Sequence, residues 1–254
     1  MGYYFPIILF LLTLLSGICY LFFLMIPKTR HESLNTFIPF RVLRIARDFF
    51  WVFFIVLIIR SFIASLYSVP TGSLEPTVMP GDILITTKYN YGLYMPVWHN
   101  KIIAINNPQR GDIILFRDPV HPKTTLIKRL IGIPGDHISY IDKILYINGK
   151  KMSQHPLGNA IDIVQGHKIP ATQLVENLNG LQHTIFVNPN IKAQNFYNLV
   201  VPKGHYFAMG DNRDYSDDSR YWGFVPADNI FAKGQMVILN FKHWHRIGTQ
   251  LYPF

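Results

Sequence analysis

Residues 49–82 read FFWVFFIVLIIRSFIASLYSV followed by PTGSLEPTVMPGD. The change of character between Val69 and Pro70 decides how the rest of the chain is read. The first part holds a single charge, Arg60. Roughly 20 apolar residues rising 1.5 Å each span the hydrocarbon of a bilayer. Arg60 is costly at the membrane centre, but near one end its long side chain reaches a polar face. The spacing predicts a second transmembrane helix over 49–69, its apolar part ending near Leu66. A buried core helix is the plainer alternative; the length and the lack of an amphipathic pattern speak against it. In the second part Pro70 and Pro76 stiffen the flanks and Gly72 permits close backbone approach. Such a segment can present Ser73. Serines in turns are common, however, and a serine without a base is a weak nucleophile.

Towards the N-terminus, residues 1–27 carry no charged side chain and predict a first transmembrane helix. A cleavable leader would have a basic start, a shorter apolar core and a cleavage site, so a retained anchor is the expectation. Between the two runs, 28–48 holds Lys28, Arg30, Arg41, Arg44 and Arg47 against Glu32 and Asp48. That excess predicts a cytoplasmic loop. Two spans then put 70–254 on the outer side, periplasmic in a cell with an outer membrane.

After Gly81 the texture is that of strands. Short apolar runs at 83–85, 112–116, 126–133, 138–147, 184–187, 206–209 and 235–241 alternate with turn signals, and Asn148-Gly149 is a hairpin signal. A short helical piece is expected near 172–178. Residues 139–200, rich in Asn, Gln, His and Lys, look like a subdomain inserted into the β core. The expected fold is therefore two N-terminal transmembrane helices on a mainly antiparallel β ectodomain.

Composition narrows the function classes. The chain has 254 residues, a net charge of +9 and one cysteine, Cys19. No intrachain disulfide is possible. No dense basic run lies beside aromatic stacking residues, so the positive charge is not read as a nucleic-acid partner. There is no H-E-x-x-H, no glycine-rich phosphate loop and no G-x-S-x-G, and neither a metal nor a cofactor is expected. His243 and His245 fall two apart on an expected strand, and surface histidines are the plainer reading. A Ser-His-Asp triad stays open at this level, since ten histidines are present.

Two further stretches carry polar residues in unusual settings. In TTLIKRLIGIPGD, residues 124–136, strand alternation puts Lys128 with Leu126 and Leu130, and Arg129 with Ile127 and Ile131. Both faces are apolar, so one cation is drawn inward. A desolvated lysine can become a neutral amine and act as a base, whereas arginine stays charged. Two snorkelling surface cations are the plainer reading of this stretch alone. GDNRDYSDDSRYWG, residues 210–223, is the densest polar run. A solvated loop is the plain reading, but Asp218 and Arg220 beside Trp222 look like an ordered pair.

Taken together, PTGSLEPT, the RGD at 110–112, LIKRLIGIPGD and GDNRDYSDDSRYWGFVP resemble, in order, the boxes of the bacterial type I signal peptidases. The two-span anchor resembles that family's Gram-negative branch. The resemblance implies the signal-peptidase and LexA-like β fold and a serine endopeptidase with a Ser-Lys dyad, which removes signal peptides from exported preproteins after small residues. It implies Ser73 as nucleophile and Lys128 as general base. Thr71 joins the Ser73 amide in the oxyanion hole, Ser216 orients the lysine, and Asp218 with Arg220 braces the site. Val69, Leu74, Val78, Leu126 and Ile127 line pockets for the residues one and three before the cut. Leu74 stands where methionine is commonest and Tyr215 where asparagine is common, and the insertion after Asp136 carries no cysteine pair. The implied partners are preproteins bearing signal peptides, membrane lipid and the export machinery; the implied place is the bacterial inner membrane. A LexA-like self-cleaving repressor would share the chemistry but carry a DNA-binding helix-turn-helix. A membrane-tethered β module without activity would have no need of a desolvated lysine near a serine.

Overall fold

The computed structural model describes residues 4–26, 38–94 and 101–251. Lys28, Arg30 and Glu32 of the basic segment lie outside them. Helix α1, Tyr4–Met25, has no charged residue in its first or last turn. Its Phe5–Met25 portion is the one helix among the described residues long and apolar enough to cross a membrane. Helix α2, Ile38–Asp48, is amphipathic and carries Arg41, Arg44 and Arg47. Helix α3, Phe50–Ile58, continues as a π-helical turn over Ile59–Ile63. Helical bonding runs unbroken past Phe49, whose amide donates to the Ile45 carbonyl and whose carbonyl accepts from Phe53.

The helix expected to reach Val69 ends at Ile63. There the Ser65 hydroxyl donates to the Arg60 carbonyl at 3.0 Å, satisfying one of the carbonyls a helix end leaves open. Residues Ala64–Ser68 instead form strand β1, paired antiparallel with β2, Ile83–Thr87. A ladder partner in the β domain outcompetes continuation of the helix.

The remaining elements follow in chain order. Strands β3, Gly92–Tyr94, and β4, Lys101–Ala104, pair antiparallel, and β5, Ile113–Arg117, pairs with β6, Thr125–Gly132. Next come β7, His137–Ile141, β8, Ile144–Ile147, and β9, Lys150–Lys151. Two long strands, β10, Gln154–Val164, and β11, His167–Leu178, precede β12, Leu181–Val187, and β13, Phe196–Val200. Strand β14, His205–Met209, leads through helix α4, Ser219–Trp222, to β15, Val225–Pro226, and β16, Ile230–Leu239. A 3-10 turn, Trp244–Arg246, follows.

The main sheet has the order β1-β2-β16-β5-β6-β14-β15, with every neighbouring pair antiparallel. Between β6 and β14 the chain leaves it and builds two more sheets, β13-β7-β8-β9 and β10-β11-β12. Ile114, Phe116, Leu130, Tyr206 and Ala208 form one core cluster; Val69, Leu74, Val78, Leu84, Ile113 and Val237 form another. A third, with Ile131, Ile138, Tyr140, Phe207 and Met209, ties the main sheet to β7.

Three local expectations are corrected. Residues 138–147 are two strands, because Asp142 and Lys143 both take positive φ and turn the chain. Residues 172–178 lie in β11: Glu176 and Leu178 are buried with Asn177 less so, a period of two imposed by pairing with β10 and β12. Strand β16 stops at Leu239, since the Asn240 side chain accepts from the amides of Lys242 and His243 and turns the chain. His243 and His245 are thus not on a strand. Asn148 and Gly149, at φ 52° and 75°, form the turn between β8 and β9, as an Asn-Gly pair does when both positions need positive φ.

Candidate active site

Ser73 lies in the loop that joins β1 to β2. The loop is closed at its base by the Val69 amide on the Asp82 carbonyl, 2.9 Å, and the Gly81 amide on the Val69 carbonyl, 2.8 Å. Leu74 and Val78 plug it into the core at 1% and 0% exposure, each burial worth about 1.5–3 kcal/mol. The Asp82 carboxylate accepts from the Met79 amide, Asn240 and Arg246, and Arg246 also donates to the Thr77 carbonyl. Burial works to raise Asp82, but these hydrogen bonds outweigh it and hold the carboxyl below its usual range. A segment that could have been a linker is pinned at both ends. Thr71 is exposed, and Ser73 is half-buried.

Gly210, the first residue after β14, is the point on which the site converges. A Cβ there would lie 2.3 Å from the Ser73 carbonyl oxygen and 2.2 Å from Ser216 Oγ. Only glycine lets both approach. Arg129 pairs with Met209 across β6 and β14, the last pair of that ladder before Gly210. The Ser73 backbone and the Ser216 side chain therefore meet at Gly210, though they are far apart in sequence. Ser216 Oγ is buried without a hydrogen-bond partner among the described residues.

Both cations of β6 are buried, Lys128 at 4% and Arg129 at 1% exposure, which overturns the surface reading of that stretch. Their surroundings differ. Arg129 grips Asp211 through Nε and Nη2, both at 2.7 Å, and donates to the Gly111 carbonyl at 2.9 Å. No carboxylate lies within ion-pair distance of Lys128 among the described residues. Burial pulls its amine down to about 8, while the charges of Asp218 and Asp217 push back. The lysine is thus close to neutral at mildly alkaline pH.

The charge behind it is ordered. Asp218 and Arg220 make a bidentate pair with two 2.8 Å bonds, and Asp218 also accepts from the Gly210 amide at 2.9 Å. Burial would raise Asp218; Arg220, the Gly210 amide and Lys128 together hold it low. The Arg220 guanidinium lies over the Tyr140 ring at 5.5 Å. The pair therefore fixes the backbone of Gly210 and leaves a negative charge near the lysine without bonding to it.

Of the expected pocket residues, Val69, Leu74, Val78 and Ile127 pack in one cluster, whereas Leu126 faces the other side of β6 with Leu130 and Tyr206. Sequence reasoning assigned no role to Asn212. Its side chain donates to the Gly72 carbonyl at 3.2 Å and its amide to the Ser73 carbonyl at 3.2 Å, holding the serine from behind. Thr77, whose hydroxyl donates to Asp211 at 2.5 Å, couples the serine loop to Arg129. Arg213, on Glu176 of β11, anchors the polar loop to the segment between β6 and β14. The sequence signal for all three was their place inside the quoted boxes; nothing in the spacing said what they would touch.

The family model described as signal peptidase, peptidase S26, matches residues 42–239. The signal peptidase I of Pseudomonas fluorescens is 40% identical over 200 residues, covering 74% of this chain and 69% of that protein. That of Pseudomonas aeruginosa is 37% identical over 228 residues, covering 80% and 77%. That of Rickettsia felis is 38% identical over 213 residues, covering 77% and 79%. The chain belongs to this family: it is a hydrolase of the bacterial type I signal peptidase class, acting on preproteins that bear signal peptides.

Proposed function

We propose that this member of the S26 signal peptidase family is a membrane-anchored endopeptidase working through a Ser73–Lys128 dyad. The observation that carries the reading is the lysine: buried on β6, the strand paired with β14 just before Gly210, where the Ser73 backbone and Ser216 converge, and without the carboxylate partner that its neighbour Arg129 has. The histidines nearest the boxes in sequence offer no comparable base. His121 and His137 are exposed, and His205 is held towards the Lys203 carbonyl.

The chemistry follows from these placements. The neutral Lys128 amine takes the Ser73 hydroxyl proton as Oγ bonds to the scissile carbonyl carbon. The developing oxyanion is stabilised by the Ser73 amide and the Thr71 hydroxyl. The Lys128 ammonium returns the proton to the leaving amine, releasing the mature protein. Water, deprotonated by the same lysine, then hydrolyses the ester left on Ser73. Ser216 orients the amine, and Asp218 with Arg220 holds the backbone that carries Gly210. Val69, Leu74, Val78 and Ile127, which pack in one cluster, shape the pockets for small residues before the cut, and Leu126, on the other side of β6, is left out of them.

The setting is proposed on the same footing. α1 and the helical stretch through Ile63 both cross the inner membrane, with the Arg-bearing face of α2 inside and the β domain in the periplasm. Exposed apolar side chains on α3, among them Trp51, Val52 and Ile55, support a second crossing. Ser73 then lies ten residues past the helix end. It meets a signal peptide whose apolar core is in the bilayer and whose cleavage site emerges at the surface. Lipid and the export machinery are the neighbours this placement implies. Incubating the detergent-solubilised protein with a preprotein tests the reading: wild type should release the mature chain and Ser73→Ala should not. Cleavage by Ser73→Ala would refute it.

A further inference from the structure

Strand β10 is built inside out. Ile161 and Ile163 stand 64% and 60% exposed, while Asp162 between them is 1% exposed. The buried carboxylate reaches the serine loop. Asp162 Oδ2 accepts from Asn212 Nδ2 at 2.7 Å, and the same Asn212 nitrogen contacts the Gly72 carbonyl. Asp162 Oδ1 has no donor among the described residues, and the side chain of Glu75 faces Asp162 at hydrogen-bond range. Glu75 is itself 7% exposed. Its Oε1 lies 2.8 Å from where a Gly72 Cβ would stand, and its amide donates to the Gly72 carbonyl at 3.0 Å.

Two buried carboxyl groups in contact cannot both be ionised. If both were charged they would repel; with one proton they make an acid–carboxylate hydrogen bond. We propose that Glu75 and Asp162 share one proton, and that this bond, with Asn212, is the clamp that positions Gly72 and Ser73 for attack. The clamp rests on Ser73 being the nucleophile, as proposed above. It makes Asp162, nearly ninety residues away on β10, a positioning residue for the reaction. Glu75 carries the proton and donates it to Asp162, which accepts from Asn212 on its other oxygen.

The groups around Glu75 agree. Burial, then the hydrogen bond and the charge of Asp162, push its carboxyl up to about 8. Of the other charged groups facing it, Arg246 from the C-terminal 3-10 turn works against the rise, and Asp82 from the loop before β2 works with it. Loss of the shared proton in alkali therefore sets two carboxylates against each other and loosens the loop. The raised value also has a sign in stability. Between an unfolded pKa of about 4.3 and the folded value, the native state holds a proton the unfolded chain does not. Stability from the pair is complete below about 4.3 and declines as pH rises from there to about 8.

The test is kcat and KM against pH for preprotein cleavage by the full-length protein in detergent. Wild type, Glu75→Gln, Asp162→Asn and Glu75→Leu are compared. Wild-type kcat should fall on the alkaline side. Glu75→Gln and Asp162→Asn keep the shape and replace the proton with a permanent N–H donor, so each should remove that fall. Glu75→Leu removes the hydrogen-bond partner from the Glu75 side of the clamp, and kcat should drop about 10- to 100-fold with KM little changed, as for a displaced nucleophile. An alkaline limb that survives unchanged in Glu75→Gln overturns the clamp, as does a Glu75→Leu enzyme with wild-type kcat. Neither result touches the dyad, which stands or falls on Ser73→Ala and Lys128→Arg.

Discussion

Lys128 and Arg129 are consecutive on β6 and both buried, yet only Arg129 has an anion to hold. Its guanidinium takes both oxygens of Asp211, while the Lys128 amine meets the Asp218 and Asp217 charges only at a distance. Arginine cannot lose its proton and is neutralised by a partner; lysine can, and is desolvated. One strand thus separates a structural cation from a candidate base by a single step of the pleat.

The dyad is tested by side chains that keep charge or size but not function. Lys128→Arg should be as inactive as Lys128→Ala, because a guanidinium is no base at neutral pH. Combining Ser73→Ala with Lys128→Ala should cost little more than either alone, since residues that act as a unit are strongly non-additive. Measuring kcat/KM on a preprotein decides it; an active Lys128→Arg enzyme would sink the assignment.

The two neighbours should respond oppositely in stability. Asp211→Ala strands a charged Arg129 in the core and should cost about 3–5 kcal/mol in chemical denaturation. Lys128 has a folded pKa of about 8, below the unfolded value of about 10.4. Between these values the unfolded chain binds the extra proton, so this group's contribution to stability rises with pH across that window and is at its least favourable below about 8. Lys128→Met should remove that rise. Denaturation midpoints of wild type and Lys128→Met that run parallel from pH 8 to 10 would mean the amine is not desolvated.

Activity should follow the same titration. kcat/KM should climb with pH towards about 8, as the Lys128 amine becomes neutral, before the alkaline fall expected of the Glu75–Asp162 pair; in Glu75→Gln the climb should continue past 8. Gln substitutions at His121, His137 and His205 should leave the climb in place. If any one of them erases activity, a histidine is the base.

Gly210→Ala is the sharpest steric test. The added methyl would meet both the Ser73 carbonyl and Ser216 Oγ, so kcat should fall by about 10² or more while far-UV dichroism stays native. A Gly210→Ala enzyme with wild-type kcat would show that these groups need not converge.

For the oxyanion hole, Thr71→Ser should keep most activity, and Thr71→Val should lose on the order of 10²–10³ in kcat, the usual cost of one donor. Thr71→Val keeps the shape and removes only the hydroxyl. Unchanged kcat in that variant would dismiss Thr71 from the hole.

Much of this was legible in residue order. The apolar runs, the strand texture after Gly81, the Asn148-Gly149 turn and the boxes around Ser73, Lys128 and Ser216 are local patterns. They rest on periodicities and turn chemistry that a dozen residues express by themselves. What needed the tertiary structure depends on partners. Both faces of β6 are apolar, so alternation could say that a cation is buried but not which one lacks an anion; Asp211, in the loop after β14, decided that. The helix stops at Ile63 and not Val69 because Ile83–Thr87 offers Ala64–Ser68 a ladder, a pairing across a loop whose closure no local propensity encodes. Asp162 on β10 reads as one polar residue among several, with Gln154, His155 and Asn159, until the fold buries it. Sequence sets which groups can bond or titrate; only long-range packing sets which of them are left in contact, and so which must share a proton.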